Sequence, residues 1–381
     1  MKILMCNPGA ERYGSDRMAL EGANALIEAG HEVVLITPNS GPLVDDALSA
    51  GMQVGYVRVP VLRKEHLLPH RLLVLAWASI LGTFNAVRVL RHHRPDRVVA
   101  NTSTQPVWSL AARLTGSTVV VVVHEAEAGT NPIVRAGVLM PLVLANELVV
   151  VSETAREFVT TSVLLRRKRI HTVRNGRDWT TYFRTATRDR ADVPKILVSG
   201  RLSPRKGQDL VLQAAHRLRV KGIEVEVLFA GDVYAGYEWF QEKLENDVRL
   251  YGLQGNVTFL GFVDDMAELL ERADVCVVPS RVSESFGLVA AEAMAAMRPV
   301  IVSSGGGLTE IVEHGKSGLV FQSGDAIALA ATLEEMLAKP KMAESLALAG
   351  YERVNHHFGQ RVYRRAFVDA VIGPSREGIG E

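Results

Sequence analysis

Glu284-Ser285-Phe286-Gly287-Leu288-Val289-Ala290-Ala291-Glu292 sets two carboxylates eight residues apart across a strand-to-helix turn. Upstream, Val275-Cys276-Val277-Val278 is a short apolar run closed by Pro279 and Ser280. It reads as a buried parallel strand, because proline cannot continue a central ladder. Downstream, the Ala- and Met-rich run from Phe286 to Met297 has high helix propensity and stops before Pro299. A helix therefore opens near Gly287 with its unpaired N–H groups turned back into the loop. Such a helix start attracts anions, and glycine permits close backbone approach to a phosphate or pyrophosphate. Glu292, just over one turn into the helix, is placed to accept hydrogen bonds from a vicinal diol such as a ribose. Glu284, on the loop side, faces whatever is attached beyond the phosphates.

Outward from that turn the chain alternates strand and helix. Apolar runs at Ile3–Cys6, Glu32–Ile36, Gln53–Val57, Arg97–Ala100, Thr118–Val123, Leu148–Val151 and Ile170–Val173 lie between amphipathic segments. Further runs follow at Lys195–Ser199, Val225–Ala230 and Val257–Leu260. This is the pattern of parallel, doubly wound sheets covered on both faces, whose ligands bind at the carboxyl ends of the strands. A length of 381 residues exceeds one ordinary core and suits two α/β domains with a cleft between them. The Asn175-Gly176 turn and the polar run to Pro194 mark the linker. A net charge of +1 provides no global attraction to nucleic acid. Cys6 and Cys276 both sit in predicted strands and read as small core residues, not as a disulfide or metal site.

The N-terminus, Met1 to Cys6 followed by the turn Asn7-Pro8-Gly9, is too short for a signal segment and reads as the first strand of a cytoplasmic protein. Between His70 and Arg94 lies a helix that is apolar at its centre and carries Arg and His at both ends. Its uncharged run from Leu72 to Val87 falls short of the ~18 apolar residues of a bilayer span. It reads either as a core helix with snorkelling ends or as a face that touches lipid headgroups, which Arg166-Arg167-Lys168-Arg169 could reinforce. Two cations, Arg201 and Lys206, stand five apart across a Ser-Pro turn after the strand Lys195–Ser199. They can converge on one diphosphate, or form a solvated basic loop. His124 and Glu125 follow the strand Thr118–Val123 and so lie at its carboxyl end, with Glu127 in the same loop.

The pattern Glu-x-Phe-Gly-x-x-x-x-Glu at 284–292, with Arg298-Pro299-Val300-Ile301-Val302 and Gly305-Gly306-Gly307-Leu308-Thr309-Glu310-Ile311-Val312, resembles the nucleotide-sugar site of family 4 retaining glycosyltransferases. Gly200-Arg201-Leu202 followed by Lys206-Gly207, and Asn175-Gly176-Arg177-Asp178, are similar to two further elements of that family. The resemblance is strongest over residues 195 to 321. It implies the GT-B fold: two Rossmann-like, doubly wound parallel-sheet domains facing a central cleft. The division expected is 1–174 for the acceptor-side domain, 175–194 for the linker, 195–355 for the nucleotide-sugar domain, and 356–381 for a last helix crossing back to the first domain and a tail.

The resemblance further implies that Gly14-Ser15 is the glycine loop closing on the donor phosphates, and that His124 lies near the transferred sugar. Gly231 and Phe262 occupy loops that hold the base, and Ser285, Phe286, Gly287 and Leu288 line the diphosphate. Glu284 would fix sugar hydroxyls and Glu292 the ribose. Arg201, Lys206 and the helix start at Phe286 to Leu288 would stabilise the leaving diphosphate, so that no metal and no cofactor is required; the predicted cleft loops hold no Asp-x-Asp motif. The partners implied are a nucleotide-sugar donor and a sugar, lipid-linked or small-molecule hydroxyl acceptor, with peripheral membrane contact and no nucleic acid. The place is the cytoplasm, at the inner face of the membrane. A dinucleotide-dependent oxidoreductase is disfavoured by the missing G-x-G-x-x-G after the first strand. A GT-B epimerase or phosphorylase, and a non-catalytic nucleotide-sugar-binding protein, stay open.

Overall fold

The computed structural model describes residues 1–62, 69–125, 132–183, 193–233 and 236–373. The chain divides into two units, Met1–Arg177 with Gln360–Glu381 and Asp178–Gly359. The first contains β1 (Lys2–Cys6), α1 (Gly14–Glu28), β2 (Glu32–Thr37), α2 (Pro42–Ser49), β3 (Gln53–Tyr56), α3 (Pro69–His93) and β4 (Arg97–Ala100). It continues through α4 (Pro106–Thr115), β5 (Thr118–Val123), α5 (Pro132–Leu139), β6 (Glu147–Val150), α6 (Glu153–Thr160) and β7 (Arg169–Thr172). The seven strands form one sheet in the order β3-β2-β1-β4-β5-β6-β7, and every pair in it is parallel. Helices on both faces explain why β1 and β5 read as unbroken apolar runs: Ile3 to Cys6 and Val119 to Val123 are all buried.

The second unit holds β8 (Lys195–Ser199), α7 (Gln208–Val220), β9 (Glu226–Ala230), α8 (Glu238–Leu250), β10 (Val257–Phe259), α9 (Met266–Arg272) and β11 (Val275–Val278). Then come α10 (Leu288–Ala295), β12 (Val300–Ser303), α11 (Leu308–Ile311), β13 (Leu319–Phe321), α12 (Ala326–Ala338) and α13 (Pro340–His357). Its sheet runs β10-β9-β8-β11-β12-β13, again wholly parallel. Leu210, Leu218, Phe229, Phe240, Leu329 and Leu333 belong to its core. Trp179 and Tyr182 precede the first strand, in the stretch read as linker, and are buried in this unit; the Trp179 indole donates to the Phe358 carbonyl at 2.8 Å.

The last helix, α14 (Gln360–Ile372), packs on α1 of the first unit. Tyr363 donates its hydroxyl proton to the Met18 carbonyl at 3.0 Å and stacks on Phe367 with centroids 5.4 Å apart. Arg364 bridges Glu21 and Glu28. The first-turn chemistry of α1 differs from expectation. Tyr13 is the N-cap, and Gly14-Ser15, expected as a loop closing on the donor phosphates, forms the opening turn of the helix.

The reading of α3 as a core helix is overturned. Leu73, Val74, Trp77, Ile80, Leu81 and Phe84 recur at helical spacing on one face, and Leu73, Trp77 and Phe84 are 82%, 64% and 68% exposed. Leu73–His93 also has the length and apolar composition of a bilayer span, more than the uncharged run alone suggested. Topology argues against a crossing: a single span between β3 and β4 would put them on opposite sides of the bilayer, whereas both belong to one sheet.

Candidate active site

In the second unit the site elements gather at the carboxyl ends of β8, β11 and β12, which are neighbours in the sheet. Gly200 and Arg201 follow β8. Pro204–Lys206 then makes a 3-10 turn that closes on Gly207, the left-handed N-cap of α7. Lys206 Nζ lies 2.7 Å from Glu284 Oε1, and the Ser280 hydroxyl donates to the same oxygen at 2.5 Å. Burial pushes the Glu284 carboxyl up, but the Lys206 charge and hydrogen bond, the Ser280 hydroxyl and the Arg205 charge outweigh it. The net effect holds it below the ordinary carboxylate range. Arg281, just beyond β11, ties the β8 loop down: its N–H donates to the Arg205 carbonyl at 2.8 Å, and its guanidinium pairs with Asp209 at 2.7 Å.

The turn that begins α10 is held by glycines that no other residue could replace without movement. Gly287, the N-cap, has φ +111°, and a Cβ there would lie 2.5 Å from Leu308 Cδ2. Gly306 has φ +66°, and its Cβ would meet the Glu284 carbonyl at 2.5 Å. Glu284 and Gly306 form a parallel bridge, and the Gly307 N–H donates to the Glu284 carbonyl at 2.7 Å. The loop after β12 thus braces the loop after β11. Ala290 N–H bonds back to the Gly287 carbonyl, and the amides of Leu288 and Val289, in the first turn of α10, have no intrahelical acceptor. Phe286 contributes backbone only, since its ring is buried edge-on against Phe358 with centroids 5.6 Å apart. Ser285 is half-buried beside it.

Glu292 lies beyond the turn and accepts from the Tyr182 hydroxyl at 3.2 Å. The loops assigned to the base are joined to the same end of the sheet. Gly231 N–H donates to the Gly261 carbonyl at 2.7 Å, Leu202 N–H to the Asp232 carbonyl at 2.9 Å, and Phe262 N–H to Asp232 Oδ1 at 2.9 Å. The Phe262 ring is 59% exposed. The structure therefore brings Lys206 into contact with Glu284, and places Arg201, Gly231 and Phe262 on loops at the carboxyl ends of the strands and Glu292 on α10 beyond the turn.

In the first unit, His124 and Glu125 end β5, Asn101 and Thr102 end β4, and Asn7 ends β1, three adjacent strands. His124 Nε2 is 2.9 Å from Asn101 Oδ1, and burial lowers its pKa to about 4, so the ring is neutral at neutral pH. Glu125 accepts from Thr102 Oγ1 at 3.0 Å, and burial raises its pKa. Glu127 lies outside the described residues. Asn7, Asn101, Ser280, Asp209, Arg281 and Tyr182 were not singled out from sequence. For Ser280 a signal existed, its place directly after a strand's proline stop, and Asn7 opens the Asn-Pro-Gly turn after the first strand; the others belong to no local pattern.

Two parallel doubly wound sheets in one chain, one with a lysine–glutamate pair and a glycine-capped helix start at its strand ends, are the architecture of the GT-B class of glycosyltransferases. Residues 13–180 match the family model Glycosyltransferase Family 4, and residues 183–353 match Glycosyl transferases group 1. A glycogen synthase of Mycobacterium tuberculosis is 28% identical across 99% of this chain and 95% of its own length. An α-D-kanosaminyltransferase of Streptomyces kanamyceticus is 26% identical across 83% of this chain and 88% of its own. Among solved structures, HepE of Anabaena in complex with UDP superimposes with a TM-score of 0.81 at 18% identity, covering 97% of this chain and 99% of that one. The chain belongs to the family 4 glycosyltransferases.

Proposed function

We propose that the enzyme moves a sugar from a nucleoside diphosphate sugar to a hydroxyl acceptor with retention of configuration and without a divalent metal, in synthesis of a bacterial-type glycan, glycolipid or envelope polysaccharide. The observation that carries this is the Lys206–Glu284 pair beside the start of α10. Breaking the bond between the sugar carbon and the phosphate oxygen puts negative charge on the diphosphate and oxocarbenium character on the sugar. Lys206, Arg201 and the open amides of Leu288 and Val289 answer the first charge, doing what a metal would otherwise do. Glu284 serves the sugar hydroxyls and Glu292 the ribose. The acceptor oxygen attacks the face the diphosphate leaves, and its proton passes to the leaving phosphate. A nucleotide-sugar donor is supported by HepE, solved with UDP and with UDP-glucose. UDP-glucose is the first donor to try.

The partner proposed for the exposed face of α3 is an anionic lipid surface at the cytoplasmic side of a membrane. An apolar helical stripe ending in the exposed Arg88 and Arg91 has the amphipathic and cationic character of interfacial helices. Sedimentation with anionic liposomes should occur at low salt, weaken with salt, and be lost in Trp77→Glu; a variant that sediments like wild type would remove this partner.

The transfer reading is tested with a donor panel and saturating chelator. Release of nucleoside diphosphate that depends on an acceptor and survives chelation supports it. A complete loss restored by magnesium or manganese would replace the leaving-group argument with a metal-assisted one. Interconversion of free sugars or sugar nucleotides without net transfer would favour an epimerase or phosphorylase.

A further inference from the structure

His124 is linked into the fold by a chain of amides. Asn101 Nδ2 donates to Asn7 Oδ1 at 2.7 Å and to the Ser15 carbonyl at 3.1 Å. Asn7 Nδ2 donates to Asp16 Oδ1 at 2.8 Å and to the Gly9 carbonyl at 2.9 Å. Asp16 Oδ2 in turn accepts from the Tyr13 N–H at 3.3 Å. Asn7, Asp16 and Asn101 are 2%, 4% and 3% exposed, so water does not compete for these bonds.

The chain fixes more than position. Gly9 O and Ser15 O are carbonyls and can only accept, so the atoms facing them must be amide nitrogens. That orients both asparagines without reference to how Asp16 is protonated. With Asn101 Nδ2 facing Ser15 and Asn7, its oxygen must face His124. An amide oxygen only accepts, so the imidazole nitrogen opposite it, Nε2, must carry the proton. In a neutral ring Nδ1 is then a lone pair, and among the described residues it has no partner.

We propose that Asn101, Asn7 and Asp16 are positioning residues that hold His124 in the Nε2–H form and present Nδ1 as a hydrogen-bond acceptor for a hydroxyl of the transferred sugar. The proposal rests on the assignment of His124 to that sugar. It gives His124 a defined part: it receives a hydroxyl's hydrogen bond and transfers no proton, so a sugar lacking that hydroxyl would leave a half-buried acceptor unmet. It also ties the first turn of α1, through Ser15 and Asp16, to the histidine.

The test is the nitrogen-15 imidazole spectrum of the full chain at about pH 7, with the His124 signal identified by its absence in His124→Gln. The expected result is a neutral ring protonated on Nε2 in wild type. Asn101→Leu should give a mixture of tautomers and a turnover at least tenfold lower, with free nucleoside diphosphate affinity unchanged. Asp16→Asn, which keeps an acceptor for Asn7, should retain most turnover where Asp16→Leu does not. A wild-type ring protonated on Nδ1, or charged at that pH, overturns the proposal and requires no variant to fold. So does an Asn101→Leu protein that keeps the pure Nε2–H form. A wild-type Nε2–H ring together with unchanged turnover in His124→Gln would leave the tautomer in place and sink the assignment of His124 to the sugar, and with it the role proposed for Nδ1.

Discussion

The two units solve the problem of holding functional groups in different ways. Around β8, β11 and β12 the groups are charged and already paired: Lys206 with Glu284, and Arg281 with Asp209. The backbone is over-determined there by glycines at which a Cβ would lie 2.5 Å from its neighbours. Around β1, β4 and β5 the linkage runs mainly through neutral amides, and its one carboxyl side chain, Asp16, is buried. A charged cluster that must yield to a phosphate has to be braced from outside, since opposite charges at ordinary protein dielectric attract over several ångströms and would collapse without the scaffold. An amide network that fixes a tautomer needs no net charge, but each of its members must be satisfied. Charge therefore marks the half proposed to bind an anion, and neutral hydrogen bonding the half proposed to orient a ring.

Substitutions in each unit should separate the two modes of holding a group. The largest effect should come from Lys206→Ala, which removes a cation from the proposed anion site and leaves Glu284 with the Ser280 hydroxyl but no paired cation. Calorimetry should show free nucleoside diphosphate bound about ten- to a hundredfold more weakly, from charge-assisted contacts of roughly 1.5 to 3 kcal/mol each. Arg201→Ala should fall in the same range. If Asn101→Leu in the other unit weakened the free nucleotide as much, the division of labour would be wrong.

Glycines give the next contrast, with opposite signs. Gly306→Ala meets both a positive φ and the Glu284 carbonyl, and should lower stability by about 1 to 3 kcal/mol. Gly137→Ala, in α5 with nothing within 4 Å of its Cβ, should raise it by about 0.5 to 1 kcal/mol. Urea denaturation of both variants checks this, and equal shifts would show that the brace around Glu284 is not under the constraint described.

Acid should then separate the units by pH. His124 is held neutral by a pKa lowered from 6.5 to about 4, so over that window the unfolded chain binds more protons, and stability falls as pH drops through it. The Glu284 contribution is present above the ordinary carboxylate pKa and is lost only as pH falls below that range. His124→Gln should flatten the upper part of the acid limb and leave the lower part; a limb unchanged above pH 4.5 would mean that the histidine is not held as described. The smallest effect should be that of Tyr182→Phe, a few-fold loss of nucleotide affinity from one hydroxyl bonded to Glu292.

These differences follow what was legible in the sequence. The glutamates at 284 and 292 with the glycine between them, and Lys206 with Arg201, stood out as two local patterns to which the family resemblance gave their roles, whereas the contact between Lys206 and Glu284, 78 positions apart, was not legible. All strands of the first sheet and most of the second could be read from apolar runs, with several ends displaced by a residue, as at β6 and β7, where Glu147 and Arg169 open the strands. β13 has three residues and offered no periodicity to detect. The network at His124 was not legible, because its bonds join residues 94 and 23 positions apart and asparagines carry no pattern of their own. The α3 face stayed undecided from sequence for another reason: apolar composition reports the wish to leave water but not which surface is available, and only the packing shows that Trp77 and Phe84 face outward.

The central claim is that the second unit holds a nucleoside diphosphate sugar with Glu284 toward the sugar and Glu292 toward the ribose. The direct measurement is calorimetric titration of free UDP into Glu284→Gln and Glu292→Gln, with transfer rates from UDP-glucose, or the donor found in its place, on the same preparations. In Glu284→Gln, Lys206 loses the carboxylate it is paired with at 2.7 Å. Free nucleotide should therefore bind at least as tightly as in wild type, while turnover falls by about tenfold or more, since contacts that tighten in the transition state are lost. Glu292→Gln should weaken both. Free-nucleotide affinity lost in the Glu284 variant and retained in the Glu292 variant would contradict the account, because the donor would then lie in the opposite direction across the turn.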